Sequence, residues 1–272
     1  MVIYTLNVGQ GQFTVVTGQN EAFIVDTYVP LAPNQKVVNV LGALASILKG
    51  KEFVGLIISG FDSDHFNKVG MRIILNKYRP NWIMYPKYYK ETKTARDCFN
   101  VIKAFETEKA ITKYSIELSE NNLRFYGKLS KEFTFEVFSP HAEDMDSSNN
   151  CSLVCKVKEI ASGRTYLITG DTENDRWDSI VEIFGAAIKS DVLDAPHHGS
   201  HNGITQEAMD LIHPTCVVIS AGIDNQYDHP DDEALEIFNS VAEKCYSTNY
   251  GEGQSLMTVA TKDQVETFKY GA

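Results

Sequence analysis

The sequence has no uninterrupted apolar span of 18 residues, so no membrane-crossing helix is predicted. It is short of positive charge: 25 Lys and Arg stand against 36 Asp and Glu, a formal net charge of −11. That balance advertises no basic face, and long-range attraction for nucleic acid is expected to be weak or repulsive. Any phosphate affinity has to be local. The five cysteines, Cys98, Cys151, Cys155, Cys216 and Cys245, are odd in number and several fall in apolar, strand-like stretches, so no disulfide framework is implied. Cys151 and Cys155 are expected as small buried hydrophobes, because thiolate sites pair cysteines closely with histidines. Met1 runs straight into an apolar run with no charged leader ahead of it, and the expectation is a soluble, cytoplasmic protein. No Pro-, Gly- or Ser-rich linker divides the chain, and 43% apolar content over 272 residues leads to the expectation of one domain, 1–272.

What the sequence does contain is a repeated pattern of apolar runs ending abruptly in metal-ligand residues. Val54 to Ile58 leads into Ser59-Gly60-Phe61-Asp62-Ser63-Asp64-His65, with two carboxylates and an imidazole in four positions. Tyr166 to Gly170 ends in Asp171, and Val192 to Ala195 leads into Pro196-His197-His198-Gly199-Ser200. Cys216 to Ser220 is followed by Tyr227-Asp228-His229-Pro230. Open α/β sheets carry their chemistry beyond the carboxyl ends of strands. Each cluster alone has a plainer reading: Asp62 and Asp64 as turn residues, Asp171 as a helix cap, His229 as a loop residue. His213 is expected at a helix end, and His141 and His201 in solvent. Together the four clusters point to a bound divalent cation, which reverses the sign of a local field and supplies the phosphate affinity that composition withholds.

Periodicity predicts strands over 2–8, 12–17 and 22–26 as a meander, a helix over 34–48 closed by Gly50, a helix over 68–78, a strand over 82–85 and a helix over 94–111. The second half repeats the plan. Strands are predicted over 115–118, 123–126, 133–138, 152–157 and 165–169, helices over 175–187, 205–212 and 231–243, and closing strands over 255–261 and 264–269, with 143–150 a loop. The fold class expected is α/β (α+β), a four-layer αββα sandwich of two facing sheets with helices outside.

The order of Asp62-x-Asp64-His65, Asn149-Asn150-Cys151-Ser152-Leu153-Val154, Thr169-Gly170-Asp171, Pro196-His197-His198-Gly199-Ser200 and Tyr227-x-His229-Pro230 resembles the metallo-β-lactamase superfamily. Within it, the hydrolase domain of the ComEC competence proteins is similar over about 6–238, including the opening Asn7-Val8-Gly9-Gln10-Gly11-Gln12 and the turn at Asp26-Thr27. The resemblance implies one or two divalent ions (Zn, Mn or Mg) at one edge of the sandwich. It implies Asp64, His65 and His229 around one ion, with Asp171 bridging to the other. Gly60 stands where the family has the first histidine of the second site, leaving Asp62, Asp171 and an amide of Asn149 or Asn150. Those oxygen donors suit Mn²⁺ or Mg²⁺ better than zinc.

The resemblance further implies a phosphodiester substrate in nucleic acid or a nucleotide, with Asp64, His197 and His198 as candidate catalytic groups. Either histidine of the pair has the neutral-range titration of a general acid. Ser200 and Asn150 are candidate substrate contacts, Ser200 having a helix cap as its plainer role. The alternative is an attenuated binding or scaffold protein acting with a separately encoded partner. Tyr28 replaces a small family residue and is expected to narrow the approach. Asn7 and Gln12 replace acids, and Asp194 stands where lysine is frequent, which is expected to remove a phosphate-attracting charge beside the site.

Overall fold

The computed structural model describes residues 1–30, 38–87, 92–106, 111–119, 124–142 and 147–271. The first half runs β1 (Val2–Thr5), β2 (Thr14–Thr17), β3 (Glu21–Val25), α1 (Val40–Ile47), β4 (Glu52–Ile57), α2 (Lys68–Lys77), β5 (Trp82–Pro86), α3 (Lys93–Glu106) and β6 (Thr112–Ile116). The second runs β7 (Phe125–Tyr126), β8 (Phe133–Ser139), β9 (Val154–Glu159), β10 (Thr165–Ile168), α4 (Asn174–Phe184), β11 (Val192–Asp194), α5 (Gln206–Ile212), β12 (Cys216–Ile219), α6 (Asp232–Val241), β13 (Lys244–Ser247), β14 (Ser255–Ala260) and β15 (Val265–Tyr270). Side-chain acceptors start several helices. Asn39 accepts from the Gly42 N–H, Asn67 from those of Val69 and Gly70, and Thr205 from that of Ala208.

The strands form two sheets, ordered β15-β14-β1-β2-β3-β4-β5-β6 and β13-β12-β11-β10-β9-β8-β7. β3 to β6 are parallel neighbours, as are β10 to β13. Parallel strands need crossovers, and the helices that supply them cover the outer faces. Three apolar layers result. Ile3, Val16, Phe23, Ile57 and Trp82 of the first sheet meet Phe133, Phe135, Val157, Tyr166 and Val218 of the second. Leu44, Ile74 and Val101 seal α1 to α3 onto the outer face of the first sheet, and Trp177, Met209 and Phe238 seal α4 to α6 onto the second. The result is the αββα sandwich.

Several boundaries differ from the sequence expectations. The helix predicted over 34–48 is seen from Val40, with 34–37 outside the described residues, and it is capped at Leu48 two residues before Gly50. Of the predicted helix 94–111, strand 123–126 and loop 143–150, positions 107–110, 123 and 143–146 also lie outside. The helix predicted over 175–187 breaks at Gly185, whose φ of 48° ends α4 and starts a 3₁₀ turn. β13 has no counterpart in the sequence reading. The closing hairpin β14–β15 crosses over to pair with β1 in the first sheet. All five cysteines are free thiols, four of them buried. Among the described residues no helix is long and apolar enough to cross a membrane.

Candidate metal centre

The carboxyl ends of β3, β4, β10 and β11 bring together the side chains of one site. Beyond β4 the chain folds over so that His65 and Phe66 donate their N–H groups to Asp62 O at 3.1 and 2.8 Å. Phe61 and Phe66 pin this turn into the core beneath, their rings 5.4 Å apart. Anchored that way, the turn presents Asp64 and His65 together.

Asp26, just past β3, is fully buried in the left-handed region, with φ 59°. Its carboxylate accepts the Ser59 N–H at 2.7 Å, the Ser59 hydroxyl at 2.5 Å and His65 Nδ1 at 2.7 Å. With Nδ1 held, His65 Nε2 faces Asp171 Oδ1 at 2.9 Å. Asp171 follows Gly170 after β10 and is steadied by its own N–H, which donates to Ser152 Oγ at 3.0 Å. Gly170 has φ 54°, and a Cβ there would lie 2.9 Å from the same Ser152 oxygen, so only glycine fits.

His197 and His198 both adopt left-handed backbone angles, φ 50° and 56°, between Pro196 and Gly199. Such angles cost a non-glycine residue on the order of 1–3 kcal/mol each and persist where the surroundings fix them. Here His197 N–H donates to Gly170 O at 3.0 Å and Ser200 N–H to His197 O at 2.9 Å. His198 Nδ1 donates to the Ser220 carbonyl at 2.7 Å, which turns Nε2 inward, where it is a lone pair whenever the ring is neutral. That Nε2 is buried without a hydrogen-bond partner, 3.6 Å from Asp64 Oδ2 and 3.7 Å from Asp171 Oδ1. Asp64, His65, Asp171 and His198 thus each offer a ligand atom, all within 4.8 Å of one another.

Two carboxylates and two imidazoles make a donor set that suits Zn²⁺ or Mn²⁺, and both imidazoles are oriented from behind by an acceptor, as metal-bound histidines are. The residues present fit a cation. Burial opposes charge on every member of the group, and the members compensate each other. The Asp171 and Asp26 carboxylates outweigh burial and hold the His65 imidazolium well above its ordinary pKa. His198 is likewise raised by Asp64 and Asp171 against its burial. Asp171 is pulled far below the usual carboxylate range, His65 overcoming burial, and Asp64 is lowered by His198 and His65. The carboxylates of the group thus favour positive charge at this point, the charge that a bound cation would supply.

The resemblance implies His229 as the fourth member; the structure brings His198 there. β11 lies next to β10, so its tip meets Asp171, whereas His229 follows β12, one strand further out. His229 lines the wall of the same cleft, of about 680 Å³, together with Gln10, Tyr28, Asp62, Asn149 and Tyr227. Asp62 borders the cleft outside the four-residue group. Among the described residues no second group of three or more His, Cys, Asp or Glu has the required spacing.

Other expectations resolve by direction. Asn149 lines the cleft, while Asn150 turns its Oδ1 to the Glu173 N–H at 3.2 Å. Ser200 is buried off the cleft, donating to Asn202 Oδ1 at 2.8 Å, and Thr205 is the cap of α5. Tyr28 lines the cleft, its ring packed on Gly11, where an added Cβ would come within 2.4 Å. Asp194 is interior, only 4% exposed, and accepts from Gln12 Nε2 at 2.9 Å, so it adds no charge to the cleft wall. Gln12 and Asp194, both departures from the family pattern, are partners. The residues least visible from sequence are Asp26, Ser59 and Ser152, which hold the ligands; Asp26 and Ser152 fall within motifs of the resemblance, but with no role attached to them.

No family model matches the chain. Over 188 residues it is 29% identical to ComE operon protein 3 of Bacillus subtilis (strain 168), covering 69% of this chain and 22% of that protein. The chain therefore spans under a quarter of the length of this curated relative. Igni18, a novel metallo hydrolase from the archaeon Ignicoccus hospitalis KIN4/I, superposes with a TM-score of 0.56 at 14% identity, covering 100% of both chains. The fold is that of the metallo-β-lactamase superfamily. A metallo-β-lactamase fold does not by itself set the reaction. CmlA, a diiron β-hydroxylase from Streptomyces venezuelae, matches with a TM-score of 0.56 at 12% identity, over 98% of this chain and 54% of that one.

Proposed function

We propose that this chain is a metal-dependent hydrolase acting on a phosphodiester. The observation that carries the reading is the buried, unpartnered Nε2 of His198, aimed between the Asp64 and Asp171 carboxylates and held there by the Ser220 carbonyl. Asp64, His65, Asp171 and His198 would hold the cation, and Asp26 would fix His65 from behind. When bound, a divalent ion supplies Lewis acidity toward a phosphoryl oxygen and activates water. Asp62 and Asn149, on the cleft wall, offer only oxygen donors for a second, weaker position, which Gly60 leaves without an imidazole.

His197 is the proton donor to the leaving oxygen in this reading. Its ring borders the cleft, and its Nδ1 lies 3.5 Å from Glu173 Oε1, a carboxylate also held by the Asn149 and Asn202 amides. His229, kept below its ordinary pKa by burial, offers a neutral N–H to a substrate oxygen. The phosphodiester preference follows from the sequence resemblance. The single described cluster also favours a second reading, an attenuated scaffold that acts with a separately encoded partner.

The test is turnover of bis-p-nitrophenyl phosphate with Mn²⁺, Mg²⁺ or Zn²⁺. Activity with at least one metal, abolished by Asp64→Ala and by Asp171→Ala, is expected. Absence of turnover with all three, or turnover indifferent to both substitutions, would leave the scaffold reading.

A further inference from the structure

The cleft wall carries one large aromatic side chain left open. Tyr227 is 55% exposed, yet it is not adrift. Its ring stacks on that of His229 at 5.5 Å and 27°, and His229 meets His197 edge-on at 5.7 Å. Asn225 ties the loop together: its Oδ1 accepts the N–H groups of both Tyr227 and His229 at 3.1 Å, while its Nδ2 donates to His229 O at 2.7 Å. Asn249 Nδ2 donates to the same carbonyl at 3.1 Å. One face of the tyrosine is therefore covered by an imidazole, and the ring is ordered before any ligand arrives. A ligand that stacks on it gives up little extra loop entropy.

The rest of the lining narrows what that ligand is. Besides the acids and histidines, the described lining consists of Tyr28 and the polar side chains of Gln10, Gln226, Asn149, Ser63 and Ser148. It includes no aliphatic side chain to receive an acyl tail and no Lys or Arg to balance a polyphosphate. Side-chain amides both donate and accept, as the edge of a nucleobase does, and aromatic rings take its face. A volume of about 680 Å³ falls in the range of small-ligand sites.

We propose that Tyr227 is a stacking platform that takes the face of a nucleobase, and is the residue by which the cleft tells a nucleoside phosphate from a bare sugar phosphate. The inference rests on the hydrolase reading only for the bond that is cut; base stacking is measurable without turnover. Thymidine 5′-monophosphate and 2-deoxyribose 5-phosphate, which differ by the base alone, are titrated calorimetrically into the full chain with Mn²⁺ present. The nucleotide is expected to bind about 5- to 150-fold tighter, the span of one base–aromatic stack. Tyr227→Ala should erase that ratio, Tyr227→Phe and Tyr227→Trp should keep it, and Tyr250→Ala, at an exposed tyrosine off the cleft, should leave it intact.

Equal binding of the two ligands to the unaltered protein, or a ratio that survives Tyr227→Ala, overturns the proposal. So does a loss in Tyr227→Ala that falls equally on both ligands, since Tyr227 would then only support His229. A thymidine decamer separates the two sources of such a base. Tighter binding than the mononucleotide assigns a single strand, and equal binding a free nucleotide. If the base advantage is found while bis-p-nitrophenyl phosphate is not turned over, the hydrolase reading fails and the platform stands.

Discussion

His65 Nδ1 lies 2.7 Å from Asp26 Oδ2, at a carboxylate with no exposed surface, and this one hydrogen bond sets which imidazole nitrogen reaches the metal centre. Asp26→Asn keeps a residue that tolerates the left-handed φ of 59° but weakens the grip on Nδ1. Metal affinity is expected to fall about 10- to 100-fold, as it does when other such supporting partners are removed. Competition titration against a chelating dye checks this. An unchanged affinity would remove Asp26 from the site.

His198→Ala and His229→Ala separate the two histidines. Removing His198 deletes a group within 4.8 Å of the other three ligand atoms, so Mn²⁺ and Zn²⁺ affinity should drop by at least about tenfold. Removing His229, which only borders the cleft, should leave affinity within about twofold and act on turnover instead. The reverse order of effects in metal titrations would restore His229 to the ligand set.

Burial, reinforced by the Asp26 charge, pushes the Asp194 carboxyl up to about 7. Its Oδ1 has no hydrogen-bond partner, while Gln12 donates to Oδ2. The folded value lies above the unfolded one, about 3.9, so the neutral acid is the form the interior accepts. Its stability contribution is full below about pH 4 and is lost as pH rises to about 7. Against Asp194→Asn, the unaltered protein should lose on the order of 2–4 kcal/mol between pH 4 and 8. Urea melts of both proteins across that range give the difference, and parallel pH profiles would contradict it.

Phe23 stands between the sheets, edge-on to Phe133 and Phe135 at 5.3 and 5.4 Å, and is fully buried. Phe23→Ala should cost about 3–5 kcal/mol through the cavity it opens. Equilibrium denaturation measures this, and a loss below about 1 kcal/mol would mean the layer collapses around the gap.

A Cβ added at Gly60 would meet only Ser152 Oγ, at 3.8 Å, so the backbone admits a side chain there. On the proposed reading, Gly60→His should increase the zinc held per chain over that of the unaltered protein, read by elemental analysis after dialysis. An unchanged stoichiometry would count against a second position that a histidine at this residue completes.

Much of this site is written locally. Apolar runs that stop at Asp62 to His65, at Asp171 and at Pro196 to His198 announce strands and what their ends carry, because burial selects β-branched and apolar residues up to the sheet edge and no further. The amphipathic spacing of α2 and α6 is equally plain. Local order also set the type of donor available, carboxylate and imidazole.

Adjacency between strands is not local, and it decided the rest. Whether His198 or His229 stands beside Asp171 depends on β11 lying between β10 and β12. The same holds for the closing hairpin, which joins β1 some 250 positions earlier because its hydrogen-bonding edge, not its sequence neighbourhood, was free to pair. Sequence places Asp194 as a charge at the mouth of the site, whereas in the fold it is interior and accepts from Gln12, 182 positions away. The sequence by itself determined the elements and the chemistry at their tips; packing of the two sheets decided which tips meet, since that choice is made by burial and backbone pairing between segments far apart in the chain.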